Sequence, residues 1–107
     1  MLSSLLLLAT LAAPTPEIKV DQAGYLAGAL AGLMTESEVV GIVAGRDVPR
    51  VRKYANGFAQ GARAACPACR VLLTYTGTAD NLAAGEAVAQ EQIVAGADVI
   101  FGVDGET

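Results

Sequence analysis

The chain has 107 residues, 53% of them hydrophobic, with a net charge of −4 and a sequence pI near 4.5. That length allows one domain at most, with enough apolar content for a core, and the acidic balance excludes nucleic acid as a bulk electrostatic partner. There is no His, and serine occurs only at Ser3, Ser4 and Ser37, so the commonest general base and most of the usual nucleophiles are missing and the residues do not point to an enzyme.

The first stretch, Met1 to Pro14, is apolar but shorter than the roughly 20 residues a bilayer span needs. Its length and the small residues Ala12 and Ala13 fit a secretory signal. However, no positive charge leads it and no Cys follows to which a lipid could be attached. The alternative is the tail of a core helix, and the residues leave both readings open. Thr15 to Val20 reads as a loop and a short strand, so residues 1–20 are taken as leader and linker and residues 21–107 as the folded domain. Asp21 is expected to cap a helix over Gln22 to Met34. Gly24, Gly28 and Gly32 fall on one side of that helix at four-residue steps, which predicts close backbone packing against a sheet or another helix.

Val39 to Val43 is an unalternated apolar run of strand length, as expected of a parallel strand buried on both faces. Ala44 to Asp47 supplies a turn, with Gly45 free to take positive φ, and Pro49 sits where a helix can begin. Val51, Tyr54, Ala55, Phe58 and Ala62 then recur at three- and four-residue steps, so the helix has one apolar stripe. The unit repeats. Val71 to Tyr75 reads as a second strand, Gly77 to Asn81 as a turn, Leu82 to Ala95 as a helix ending at Gly96, and Asp98 to Phe101 as a third strand. Helical crossovers of this length join parallel strands, so the fold class is α/β, a three-layer parallel sheet with the first strand in the middle.

Between helix and second strand stands Cys66-Pro-Ala-Cys69. Redox thiols of this spacing precede a helix, where amide dipoles favour a thiolate, whereas these follow one. A local structural feature, such as a small disulfide clip in an exported protein, is the favoured reading; free thiols and redox or metal work are the alternatives. Two Cys without His make a poor tetrahedral zinc set, and no metal or cofactor is expected. Arg46, Arg50, Arg52 and Lys53 cluster around Asp47, with neither a P-loop nor a dinucleotide fingerprint beside them, and read as a solvated, partly self-paired face.

Several segments together resemble the basic membrane protein (BMP) family: Asp21-Gln-Ala-Gly-Tyr-Leu-Ala-Gly, the strand ending Val-Ala-Gly45, Tyr54-Ala-Asn-Gly-Phe-Ala-Gln-Gly61, Thr74-Tyr-Thr-Gly-Thr78 and Gly96-Ala-Asp-Val-Ile-Phe101. The family comprises extracytoplasmic solute-binding proteins of ABC importers, purine-nucleoside-binding lipoproteins among them. The resemblance implies part of one lobe of a type I periplasmic-binding-protein fold, with the first lobe and the lipid-bearing Cys absent. It also implies a nucleoside as the favoured solute and an ABC permease as partner. Family ligands sit between two lobes, which places the ligand-binding positions Asp47, Val48, Ala79, Gly105 and Thr107 at the carboxyl ends of the strands. Ala79 stands where members commonly carry an aromatic, which removes a stacking surface, and Glu106 replaces a glycine. The expectation is a non-catalytic, membrane-associated solute-binding module that binds weakly alone and is prone to self-association through an open sheet edge. A small flavodoxin-like regulatory domain without a cleft is the alternative.

Overall fold

Six elements follow one another over residues 19–104, the part of the chain that the computed structural model describes. They are α1 (Val20–Met34), β1 (Val39–Ala44), α2 (Pro49–Ala65), β2 (Arg70–Tyr75), α3 (Leu82–Val94) and β3 (Val99–Val103). The strands form one parallel sheet in the order β2-β1-β3, with Val40 beside Val71 on one side and Val99 on the other. The direction of travel reverses after β2. Crossovers of one hand therefore put α2 and α3 on opposite faces, which gives the three layers.

β1 is apolar throughout because both its faces and both its edges are covered. Val40, Ile42 and Ala44 are fully buried toward α2, and Gly41 is buried under α3. β2 and β3 are only half-buried, as sheet edges must be. The core lies between β1 and the two front helices, where Phe58 and Ala55 of α2 and Ala31 of α1 meet Val40 and Ile42. Phe58 also packs on Phe101 of β3 with ring centroids 5.5 Å apart. Burying Phe58, Ile42, Val40 and Val51 contributes about 1.5–3 kcal/mol each.

The glycine stripe of α1 meets a second one on α2. A side chain at Gly24 or Gly28 would overlap the carbonyls of Tyr54 or Phe58, and one at Gly57 or Gly61 would overlap those of Asp21 or Tyr25. The two helices thus approach backbone to backbone. Each glycine costs about 1 kcal/mol in helix propensity, and the close contact along the whole length of α1 offsets it.

Three local readings change. Val20 belongs to α1 rather than to a strand, Lys19 is the cap residue, and its amide donates to the Gln22 side chain, while Asp21 lies in the first turn near the positive helix end. Gly45 does not use positive φ; it is required because a Cβ there would sit 2.8 Å from the Thr78 carbonyl oxygen and 2.9 Å from that of Asp104. α3 ends at Val94, with Gly96 at φ 109° reversing the chain beyond it. Cys66 and Cys69 are joined in a disulfide that ties the end of α2 to the start of β2, and the Cys69 amide donates to the Cys66 carbonyl to close the turn.

Candidate functional site

Open parallel sheets offer ligands a crevice at the carboxyl ends of their strands, where the backbone ends meet and helix amino termini begin. Here a concavity of about 950 Å³ opens at that end and runs back under the amino-terminal half of α3. Its floor is apolar, from Val43 and Ala44 of β1 and Ile100 to Val103 of β3. Arg50 and Tyr54, one turn apart on α2, form one wall; Leu82, Gly85, Glu86 and Ala89 of α3 form the other. Thr76, Thr78, Ala79, Asp80 and Asp104 stand at the mouth.

The mouth is fixed by hydrogen bonds that cross between strands. Asp104, at φ 64° just past β3, turns its carboxylate toward the loop after β1 and accepts from the Arg46 amide at 3.0 Å and from its Nε and Nη2, both at 2.9 Å. Only 5% of the Asp104 side chain is exposed. The Arg46 hydrogen bonds, with the nearby Arg50 charge, hold its carboxyl well below the usual carboxylate range. Arg50 Nη2 forms a longer ion pair with Asp104 at 3.7 Å, and 65% of its side chain is exposed beside the concavity. After β2, the Thr76 hydroxyl donates to the Thr78 carbonyl and the Thr78 hydroxyl donates to Asp80. Asn81 then caps α3 by accepting from the Ala84 amide. Tyr54 is half-buried, and burial raises its phenol pKa.

Of the positions expected at the site, Ala79 lines the concavity. Asp47 instead accepts from Arg52 Nε at 2.9 Å, and Val48 is the residue before α2; neither is among the lining residues. Gly105 and Thr107 lie outside the described residues. Arg46, Arg50 and Arg52 all pair with carboxylates, as a self-paired face requires, with Arg50 at the longest distance, 3.7 Å, and also lining the concavity. Sequence reasoning missed Arg50, Tyr54 and Asp104. The spacing of Arg50 and Tyr54 at the start of α2, one turn apart and next to a strand's carboxyl end, was the available signal.

The carboxylate at the mouth is engaged by an arginine, and the mouth is polar above an apolar floor. With its parallel sheet and carboxyl-end crevice, the domain is part of a lobe of a type I periplasmic-binding-protein fold, the architecture of solute-binding proteins. Residues 16–107 match the Bmp family, described as ABC transporter substrate-binding protein PnrA-like, and the chain belongs to that family. The family is extracytoplasmic and consists of solute-binding proteins. A CD4+ T-cell-stimulating antigen of Listeria monocytogenes and another of Listeria innocua are each 30% identical over 89 residues, covering 83% of this chain and 25% of theirs. An ABC transporter solute-binding protein from Conexibacter woesei superposes with a TM-score of 0.77 at 32% identity, over 80% of this chain and 29% of that one. The chain thus spans about a quarter of the length of these relatives. Among the described residues no helix is long and apolar enough to cross a membrane.

Proposed function

We propose that this chain supplies one wall of the solute cleft of an ABC importer, with a nucleoside as the solute and no catalysis. The observation that carries it is the concavity at the carboxyl ends of three parallel strands, apolar below and rimmed by the exposed guanidinium of Arg50 and the polar loop from Thr76 to Asp80. A flat heterocycle suits the apolar floor and a hydroxylated sugar suits the rim. Asp47, Val48, Ala79, Gly105 and Thr107 remain the proposed contacts around this end, together with Arg50 and Tyr54 inside it. Membership of the family supports an ABC permease as partner and a membrane-associated setting for the whole protein.

Affinity in a two-lobed binder comes from enclosure, with both walls contributing and water excluded on closure. A single wall binds weakly, and Ala79 adds no stacking surface. Titrating the chain with adenosine, guanosine and inosine while following backbone amide shifts tests the proposal. Millimolar binding with shifts at Gly45, Thr78, Ala79 and Asp104 is the expected result. Shifts confined to other regions, or none at any concentration, would sink the cleft assignment, and micromolar binding to a monomer would sink the one-wall argument.

A further inference from the structure

The loops at the carboxyl ends of the strands are stitched to one another by backbone. The Gly45 amide donates to the Val103 carbonyl at 3.1 Å, the Gly77 amide donates to the Gly45 carbonyl at 2.9 Å, and the Thr76 amide donates to the Ala44 carbonyl at 2.8 Å. One side chain, that of Asp104, closes this net from β3. Its Oδ2 accepts from the Arg46 amide and Nε, and its Oδ1 accepts from Arg46 Nη2 and stands 3.7 Å from Arg50 Nη2. The left-handed backbone at Asp104, a conformation that residues with a Cβ adopt at some cost, aims the carboxylate back across the end of β1.

Two guanidiniums thus meet on one carboxylate. Without it, Arg46 and Arg50 would be a ready phosphate site, because the guanidinium fork matches phosphate oxygens. With it, a phosphate has to displace a carboxylate that is 5% exposed and held by charge-assisted hydrogen bonds. The other acidic residues lining the concavity, Asp80 after β2 and Glu86 on α3, repel the same charge. We infer that Asp104 is a specificity-determining residue of the cleft: by occupying Arg46 and Arg50 it keeps phosphate-bearing solutes out and leaves the site to uncharged ones. This is selection by an unfavourable element built against the competitor. The inference rests on the cleft reading above and adds to it the charge class of the solute and the residue that sets it.

Titrating the full chain with inorganic phosphate, inosine monophosphate and inosine, while following backbone amide and arginine Nε–H shifts, tests it. Asp104→Asn keeps the shape of the side chain, an acceptor for the Arg46 amide and a residue type that tolerates the left-handed backbone, but removes the charge. In it, phosphate and the monophosphate should bind at Gly45, Arg46 and Arg50 at least about fivefold more tightly than in the unsubstituted chain, as expected for one charge removed at about 4 Å. Asp104→Gly, which suits the same backbone, should show the same gain. Asp104→Glu keeps the charge and should stay closed to phosphate, and Arg46→Gln combined with Asp104→Asn should lose the gain. No gain in either Asp104→Asn or Asp104→Gly would overturn the inference, as would a gain in Asp104→Glu, which would trace the effect to geometry and not to charge. Absence of inosine shifts in the unsubstituted chain would sink the cleft assignment instead, and the phosphate comparison would still decide the role of Asp104.

Discussion

The two faces of the sheet are held in different ways. In front, α1 and α2 meet backbone to backbone through interlocking glycines and bury Phe58 against the strands. Behind, α3 is attached chiefly by Gln92, whose buried Nε2 donates to the Ile42 carbonyl at 3.1 Å and reaches the Leu72 carbonyl and the Thr74 hydroxyl. Gln92 Oε1 is buried without a hydrogen-bond partner among the described residues. Toward its amino terminus α3 stands over open space, and nothing lies within 4 Å of where a Cβ on Gly85 would be. The front is rigid because backbone cannot yield. The back keeps room beneath the helix, and that room is continuous with the concavity, so the better-packed face is the frame of the fold and the looser one borders the open space.

Breaking the front face should have the largest effect. Gly28→Ala sets a methyl against the Phe58 carbonyl, and neither helix can move without disturbing the other glycine contacts. The expected loss is about 3 kcal/mol, at the upper end of the overpacking range, even after the helix-propensity gain of Ala. Urea unfolding measures it, and a loss below about 1 kcal/mol would mean that the helices can separate without cost.

Next comes the disulfide. Replacing both Cys66 and Cys69 with Ser opens a four-residue loop, for which chain entropy gives about 2 kcal/mol. The bond lies where β2 begins, at the opposite end from the cleft, so solute affinity should change by less than about tenfold. Calorimetry on the variant checks this, and a larger change would tie the clip to the site.

A smaller and pH-dependent effect is expected at Asp98. Its carboxylate accepts from the Thr35 hydroxyl and from the Ser37 and Glu36 amides, pinning the link between α1 and β1 to the entry of β3. Those hydrogen bonds hold its pKa well below the usual range. The stabilisation is fully present above the unfolded carboxylate pKa of about 3.9 and is lost as pH falls from there toward the depressed folded value. Asp98→Asn should therefore lower the urea midpoint at pH 7 and flatten its decline between about pH 4 and pH 2. Parallel curves for the two proteins would show that the clasp contributes nothing.

The smallest effect belongs to the back face and has the opposite sign. Gly85→Ala meets no neighbour and removes a glycine from a helix interior, so stability should rise by up to about 1 kcal/mol. Destabilisation there would mean that α3 packs more closely on the sheet than its open flank indicates.

The local code settled a good deal of this protein. The unbroken apolar run from Val39 marked β1 as the central strand, because only a strand covered on both faces dispenses with alternation. The Val51 to Ala62 stripe marked the buried side of α2, and the crossover lengths required parallel pairing. The Gly24, Gly28 and Gly32 spacing announced a close approach without naming Gly57 and Gly61 as its partners, since a stripe states that a surface is flat and not what lies on it. Likewise, Arg46 and Asp104 are 58 residues apart, and Gln92 and Ile42 are 50 apart. Their meeting depends on the β2-β1-β3 order, which brings the ends of β1 and β3 together and lays α3 behind β1. Periodicity is a property of neighbours along the chain, so it fixed which faces are buried; that Arg46 and Arg50 both meet Asp104 is set by strand order, and only the tertiary structure decided it.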